Sequence, residues 1–300
     1  MTIQKDQFET IGDGLLVRAP AKINLSLLVD GKRPDGFHEI RTVMAKVNWY
    51  DELLIERTEN TGIELICDGR WSPAGQDNLV YKACKLLCEF VGIRPALRIS
   101  LTKNVPAGAG LGSGSSDAAA ALLGLNRLLD LALGKEQLSD MAAQLGSDVP
   151  FFLGGPLAVC SGRGEKIEKI ERIFRFFAIV VLPSVSVCTK RAYENFRHKP
   201  AEYQALNTRI NQYIEKNRID LIADLCTNMM FGSCLQLHPE LAELKTRIED
   251  SGVGPVCMTG SGSALYVLFD RTEEQKAKRL HKTLTQNIDC ESIIVNNNRW

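Results

Sequence analysis

Four glycines alternate with other residues in one short segment, and this pattern has a direct chemical use. Gly108, Gly110, Gly112 and Gly114 fall within residues 106–117, PAGAGLGSGSSD. Glycine lets the backbone adopt conformations that other residues avoid, and it brings bare N–H groups against a ligand. The first unpaired N–H groups and the positive dipole end of a following helix also favour an anion. The spacing therefore predicts a cradle for a phosphate chain.

Familiar phosphate loops do not explain this segment. The sequence contains neither G-x-x-x-x-G-K-[ST] nor G-x-G-x-x-G, which excludes a Walker loop and gives no support to a dinucleotide-binding fold. It also lacks H-R-D, D-F-G and G-x-S-x-G, so a protein kinase or an esterase is not indicated.

The flanking residues predict the elements that must hold the loop. Leu97, Ile99 and Leu101 alternate with polar residues, as in a half-buried strand. Beyond the glycines, apolar residues at helical spacing predict a helix that begins near Ser115 or Ser116. The order is strand, glycine loop, helix.

Composition narrows the classes of function. The 36 basic and 36 acidic side chains leave no net charge, which removes the electrostatic case for a nucleic-acid or anionic-membrane partner. The strongly apolar run at 176–182 is too short to span a bilayer, and the first residues are polar and acidic, unlike a targeting peptide. We therefore expect a cytoplasmic protein with small-molecule ligands, whose oligomeric state the sequence leaves open.

The nine cysteines are scattered and never spaced C-x-x-C. This usage fits a reducing compartment, in which cysteine serves as a small apolar residue. Cys84 and Cys88 stand four residues apart on a predicted helix, but no histidine lies nearby in the sequence to complete a metal site. We name no metal ligand.

Helices and strands interleave along the chain without an internal repeat, which predicts two packed α+β domains. We expect an N-terminal domain over 1–155 and a C-terminal domain over 156–300, divided near the glycines at 154–155. In the second half we expect strands near 176–182, 256–258 and 264–269, and helices near 190–196, 204–230, 238–250 and 272–286.

Asp148 follows a predicted helix over 135–145 that ends at Gly146. Pro150 disfavours helical geometry at Val149, so we expect Asp148 on a fixed corner. Taken alone, an aspartate at a corner is usually a cap or turn residue.

Several segments, in chain order, resemble motifs of the galactokinase, homoserine kinase, mevalonate kinase and phosphomevalonate kinase superfamily. Residues 19–25 (APAKINL), 106–117 and 258–264 (MTGSGSA) are similar to its first, second and third motifs. Within that superfamily, residues 33–42 (RPDGFHEIRT) and 145–152 (LGSDVPFF) resemble the family of 4-diphosphocytidyl-2-C-methyl-D-erythritol kinases.

The resemblance implies an N-terminal domain like one in a small ribosomal-subunit protein, a ferredoxin-like C-terminal domain, and catalysis in the cleft between them. It implies ATP as the phosphoryl donor and the 2-hydroxyl of a cytidine diphosphate sugar-alcohol as the acceptor, in mevalonate-independent isoprenoid biosynthesis. Mg²⁺ is expected with ATP, and its protein ligands are not identified.

The same resemblance assigns the chemistry to two residues. The family's base falls on Asp148 and its lysine on Lys22, which would offset developing phosphate charge. Asn24 projects from the same strand face as Lys22 and would share the site.

The nucleotide is expected along the glycine loop. Backbone N–H groups of 110–115 would bind phosphate, whereas Asn78 and Lys103 would lie near adenine or else serve as capping and surface residues. The residues expected at the nucleotide are Asn78, Lys103, Pro106, Gly108, Gly110, Leu111, Gly112, Ser113, Gly114, Ser115 and Ser116.

The acceptor is expected at the position of the family's Tyr-His pair. This chain has Phe37 and His38 there, so it keeps the aromatic ring of the family's tyrosine but lacks its hydroxyl. The imidazole and flanking aromatic rings would bind a cytosine by hydrogen bonds and stacking. A partly buried histidine beside a core phenylalanine is the alternative. The residues expected at the acceptor are Asn24, Phe37, His38, Thr189, Tyr193, Gly260 and Ser261.

Two other functions stay open on the sequence. A homoserine or mevalonate kinase of the same superfamily would show no dependence on cytidine. A nucleotide-binding regulator without catalysis would have no use for Lys22 and Asp148.

Overall fold

The computed structural model describes residues 5–68, 73, 75–171 and 174–300, which form interleaved strands and helices. The strands are β1 (Phe8–Ile11), β2 (Gly14–Lys32), β3 (His38–Arg57), β4 (Gly62–Asp68), β5 (Ala96–Thr102), β6 (Leu157–Gly162), β7 (Lys166–Lys169), β8 (Phe176–Leu182), β9 (Thr227–Asn228), β10 (Val256–Met258), β11 (Leu265–Asp270) and β12 (Glu291–Asn296). The helices are α1 (Leu79–Val91), α2 (Ser113–Leu128), α3 (Lys135–Leu145), α4 (Val149–Leu153), α5 (Thr189–Glu194), α6 (Pro200–Glu215), α7 (Ile219–Leu225), α8 (Phe231–Leu237), α9 (Pro239–Glu249) and α10 (Glu274–Asn287).

Two sheets organise these elements. The first has the order β1-β2-β3-β5-β4, with β6 also paired to β3, β7 to β6 and β9 to β2. The second is antiparallel, with the order β10-β11-β8-β12. Helices α1 to α4 contribute to the core on one side of the first sheet, and α8 to α10 contribute to a core against the second. A third core lies between the sheets.

The long strand β2 changes cores along its length, and this change positions two candidate site residues. Val17 and Ala19 pack with the helix-covered core, whereas Ile23 packs between the two sheets. The pairing of β2 with β3 is irregular at Pro20/Ala21, where this change occurs. Because successive side chains of a strand point to opposite faces, Lys22 and Asn24 point away from that inter-sheet core.

The predicted helix that carries Cys84 and Cys88 is confirmed as α1, which is capped by Asn78 and ended by a left-handed Gly92. The predicted strand and the order around the glycine loop are also confirmed, although α2 begins at Ser113, two residues before the expected start. The predicted helix over 204–230 is wrong as one element. Left-handed backbone at Asn217 and Cys226 ends α6 and α7, and β9 follows.

Strands β6 and β7 pair with the first sheet, although they follow residue 155. The first sheet therefore draws on residues up to Lys169, and the second begins with β8. The division into units over 1–155 and 156–300 stays a prediction.

A disulfide joins Cys226 and Cys257, whose Cα atoms are 5.4 Å apart. The prediction that the cysteines serve only as small apolar residues is wrong for these two. No spacing pattern pointed to this pair, because the fold brings together residues that are 31 positions apart. Cys84 and Cys88 lie on the buried face of α1, without a metal-binding cluster among the described residues.

None of the helices in the described ranges is both long and apolar enough to cross a membrane.

We predict that Gly124→Ala destabilises the fold. A Cβ at this position of α2 would lie 2.6 Å from Cδ1 of Ile55 and 2.8 Å from Cγ2 of Val17, both in the core. Overpacking of this kind costs about 1–3 kcal/mol, which outweighs the helix propensity of about 1 kcal/mol that alanine adds. Urea unfolding measures the difference.

Gly232→Ala is the matched control, because a Cβ at this exposed position of α8 meets nothing within 4 Å. Its free energy of unfolding should stay the same or rise by up to about 1 kcal/mol. Equal effects of the two substitutions would show that α2 does not depend on a close approach at Gly124.

Candidate functional site

A cleft of about 1170 Å³ opens between the glycine loop, the β2–β3 hairpin and the loop from β10 to β11. It brings together residues that lie far apart in the sequence. The predicted site residues that line it are Lys22, Asn24, Phe37, His38, Gly108, Gly110, Gly112, Ser113, Gly114, Ser115, Asp148, Thr189, Tyr193, Gly260 and Ser261.

Backbone conformation explains the alternation of glycines in this cleft. Gly108, Gly110 and Gly112 have φ of 75°, 78° and 72°, the left-handed region that side chains rarely adopt. A Cβ on Gly110 would also lie 2.1 Å from the carbonyl oxygen of Thr259. The loop thus needs glycine both for its turn and for its packing on the third motif.

Hydrogen bonds join the three sequence motifs directly. The Lys22 N–H donates to the carbonyl of Leu111 at 2.9 Å, and the Ala264 N–H donates to the carbonyl of Ala109 at 3.1 Å. The Asn24 N–H donates to the Thr259 hydroxyl at 3.1 Å. The first and third motifs therefore fix the glycine loop from two sides.

Lys22 is the cation at the centre of this arrangement. Its side chain is 3% exposed, and its Nζ donates to Oδ1 of Asn24 at 2.5 Å and lies 3.6 Å from Oδ2 of Asp148. Burial lowers the pKa of Lys22, and the Asp148 carboxylate opposes that shift. The Asn24 amide in turn donates to Thr42 Oγ1 at 2.8 Å, which fixes the orientation of its oxygen.

Asp148 lies at the N-terminal boundary of the short helix α4. The expected non-helical conformation of Val149 is wrong, because α4 begins at that residue. Pro150 stands in the first turn, where its missing N–H costs no helical hydrogen bond. The corner is fixed as expected, but by a helix start, and the Asp148 side chain remains one-third exposed to the cleft.

Lys46 holds the other end of α4. Its buried ammonium donates to the carbonyl oxygens of Phe152 at 3.0 Å and Gly154 at 2.8 Å. Such groups at a helix end have no intrahelical partner, and a cation suits them. Burial lowers the pKa of Lys46 to about 7.

Aromatic rings gather at the other end of the cleft. The His38 ring stacks on Tyr193 with centroids 5.1 Å apart, and Phe196 meets it edge-on at 6.3 Å. Burial, Lys32 and His198 lower the pKa of His38, which favours a neutral ring with one donor and one acceptor. Phe37 is half-exposed beside it. Phe37 is therefore not the core phenylalanine that the alternative for His38 required.

Thr189 and Ser261 meet across the cleft, with their hydroxyl oxygens 2.8 Å apart. Thr189 begins α5 and Tyr193 lies one turn later, so both can face the same side. The third motif thus meets α5 at the cleft, although the two are far apart in the sequence.

Five predicted nucleotide residues do not line the cleft. Asn78 is buried and accepts the Val80 N–H as a helix cap, Leu111 belongs to the inter-sheet core, and Ser116 is buried within α2. Pro106 also lies outside the lining. The fifth is Lys103.

Lys103 is buried behind the glycine loop instead of facing the cleft. Its ammonium pairs with Asp51 and with Asp117 at 2.6 Å, and it donates to the Ser113 hydroxyl. Burial and the neighbouring Asp51 raise the pKa of Asp117. The cluster therefore joins β3, the segment before the loop and the first turns of α2.

Asp51 extends this cluster into the backbone. Its Oδ1 accepts the N–H groups of Asn104 at 2.6 Å and Val105 at 2.8 Å. We define Asp51, Lys103, Ser113 and Asp117 as the loop anchor.

Several residues that shape the site were not predicted from the sequence. Thr259, within the third motif, bonds Asn24 and Gly110, and Asn228 donates to the carbonyls of Met258 and Gly260 at 2.8 Å. Thr259 lies within the third motif, so the sequence alone could have identified it. Asn228 had no local signal, because β9 lies inside the segment predicted as one long helix.

We predict that Lys103→Met lowers the free energy of unfolding by about 3–5 kcal/mol, because it leaves two buried carboxylates without a cation. The loss should grow as the pH rises. A buried carboxyl with a raised pKa stabilises the fold only while it is protonated, and ionisation of Asp117 then opposes folding. Denaturant unfolding at several pH values measures both effects.

Lys82→Met is the control, because its exposed pair with Asp77 spans 3.7 Å. It should cost less than about 1 kcal/mol. If Lys103→Met also cost less than about 1 kcal/mol, the loop anchor would not stabilise the fold as predicted.

Comparisons with known proteins bear on this site. The chain matches the GHMP kinases N terminal domain over residues 78–156 and the GHMP kinases C terminal domain over 210–285. A 4-diphosphocytidyl-2-C-methyl-D-erythritol kinase of Bacillus cytotoxicus is 37% identical over 254 residues, 85% of this chain and 88% of the relative. The enzyme of the same name from Bacillus velezensis is 36% identical over 270 residues, 90% of this chain and 92% of that one.

Solved structures agree on the fold. A crystal structure of 4-(cytidine 5'-diphospho)-2C-methyl-D-erythritol kinase aligns with a TM-score of 0.75 at 32% identity, and covers 95% of this chain and 100% of that chain. The predicted two-domain α+β fold is thus confirmed. From these similarities over most of each chain, the protein belongs to the 4-diphosphocytidyl-2-C-methyl-D-erythritol kinase family of the GHMP kinases and is a phosphotransferase with an alcohol acceptor.

Proposed function

We propose that this protein transfers the γ-phosphoryl group of ATP to the 2-hydroxyl of 4-diphosphocytidyl-2-C-methyl-D-erythritol, in mevalonate-independent isoprenoid biosynthesis. The observation that carries the proposal is that three functional groups line the same cleft. A glycine loop at a helix start, a lysine–carboxylate pair and a stacked histidine lie along it. These groups suit a phosphate donor, an alcohol acceptor and a nucleobase, respectively.

The donor phosphates bind at the glycine loop and the first turn of α2. Ser113, Gly114 and Ser115 line the cleft at the N-terminus of this sixteen-residue helix, where unpaired N–H groups and the dipole favour anions. Contacts come mainly from the backbone. Asn78, Lys103, Leu111 and Ser116 support the loop from behind.

Mg²⁺ accompanies the nucleotide. The described residues contain no group of three or more His, Cys, Asp or Glu that could hold a metal ion, which suits a cation held largely by phosphate and water. Bound Mg²⁺ would neutralise charge on the phosphates. The chain itself contributes Lys22, whose buried ammonium faces the same space.

Asp148 is the base in this proposal, and Lys22 is its electrostatic partner. A carboxylate can orient an acceptor hydroxyl and take its proton as the new P–O bond forms. Lys22 lies 3.6 Å from that carboxylate and borders Gly260 of the third motif, so it also offsets charge on the transferred group. Asn24 fixes the position of the ammonium.

The cytosine ring of the acceptor lies at the aromatic end of the cleft. A neutral His38 offers a donor and an acceptor to a base edge, and Tyr193 and Phe37 offer ring surface for stacking. Homoserine and mevalonate carry no base that would use these rings. The aromatic end thus favours the cytidine acceptor over both.

Release of ADP by the purified protein tests the proposed function. With ATP and Mg²⁺, turnover should require the cytidine diphosphate acceptor and should be absent with homoserine or mevalonate. The uridine analogue should be a poor substrate, because a carbonyl in place of the exocyclic amine mismatches buried polar groups. Equal kcat/KM for the cytidine and uridine acceptors would contradict cytosine recognition, and turnover of homoserine or mevalonate would overturn the proposal.

We predict that Asp148→Asn lowers kcat by about 10²–10⁴-fold, because an amide has nearly the same shape but cannot accept the proton. Binding of ATP should be retained. Steady-state kinetics and a nucleotide titration measure the two effects.

Asp140→Asn makes the same chemical change on the exposed surface of α3 and should leave kcat unchanged. If folded Asp148→Asn turned over at a near-normal rate, Asp148 would not be the base.

A further inference from the structure

Arg163 is a cation in the cleft wall that the proposed mechanism does not use. It begins the turn 163–165 between β6 and β7, is half-buried, and lines the cleft. Its guanidinium carbon lies 5.0 Å from the centroid of the Phe37 ring. Attraction between the cation and the ring face holds the side chain over the base-binding end.

The same turn also reaches the reacting end of the cleft. Gly164 packs against the corner that carries Asp148, since a Cβ on this glycine would lie 3.4 Å from Oδ1 of Asp148 and 3.5 Å from the carbonyl oxygen of Ser147. Arg163 therefore lies between the aromatic end and the carboxylate end.

Two other basic side chains of the cleft are in ion pairs, unlike that of Arg163. Lys22 pairs with Asp148, and Lys190 lies 4.0 Å from Glu194. Within the described residues, no carboxylate oxygen lies within 4.0 Å of the Arg163 guanidinium. Asp35, the acid whose charge it faces, is already hydrogen-bonded to Arg33.

The remaining lysine of the cleft is Lys32. It is exposed and paired with His38 in the β2–β3 register, so it belongs to the base-binding end.

We infer that Arg163 binds the diphosphate of the acceptor, an inference that rests on the proposed function. An acceptor whose cytosine lies at His38 and whose hydroxyl lies at Asp148 must pass its diphosphate along the wall between them. Arginine suits this task, because its planar fork donates two parallel hydrogen bonds to phosphate oxygens. Phe37 would then hold the guanidinium in place as well as stack on the base.

Binding of two commercial probes, cytidine 5'-diphosphate and cytidine, tests this inference by titration calorimetry. Arg163→Gln should weaken the binding of cytidine 5'-diphosphate by about 10–100-fold, because charged hydrogen bonds to the phosphates are lost. It should change the affinity for cytidine by less than about twofold. Arg163→Lys keeps the charge without the fork and should fall between the wild type and Arg163→Gln.

Arg209→Gln is the matched control, because Arg209 lies over the Tyr213 ring at 5.5 Å outside the cleft lining. It should alter neither affinity. Unchanged diphosphate binding in folded Arg163→Gln would overturn the inference, and so would equal losses for both probes, which would mean that Arg163 only supports Phe37. A wild-type protein that binds neither probe would instead contradict the proposed function itself.

Discussion

Lys22, with its buried ammonium, is the residue on which the geometry of the cleft depends. Its own backbone N–H holds the second motif at Leu111, its side chain bonds Asn24, and a Cβ on Gly112 would meet its Cγ at 2.9 Å. A charge that is 3% exposed is costly unless it is paired. Asp148 supplies the counter-charge, so the group that stabilises the lysine is also the proposed base.

The loop anchor, which lies behind the glycine loop, fixes the conformation of that loop. A loop with three left-handed glycines has no preference for one conformation in the unfolded chain, and its order must come from its surroundings. The anchor fixes the start of α2 through Ser113 and Asp117, while the buried Thr259 hydroxyl donates to the carbonyl of Gly110 at 3.0 Å. The proposed phosphate cradle is thus formed by contacts within the protein itself, which lowers the entropy that binding must offset.

Local sequence was enough to predict the parts of the site that depend on local physics. The glycine spacing, the cap at Asn78 and the alternation in β5 each follow from backbone preferences over a few residues. The predictions failed where contacts between residues far apart in the sequence determine the structure. Lys103 was expected near adenine or else at the surface, but it is buried against Asp51, which lies 52 positions away in the sequence. The disulfide and β9 likewise depend on contacts that no local pattern announces.

The most direct test of the central claim, that Lys22 and Asp148 act as one catalytic unit, is a double-mutant cycle on the phosphoryl-transfer step. Single-turnover rates would be measured for the wild type, Lys22→Met, Asp148→Asn and the double variant, each with saturating ATP and acceptor. The account predicts that the double variant is slowed little more than the slower single variant, because removing either member disables the pair. Independent losses that multiply in the double variant would contradict it.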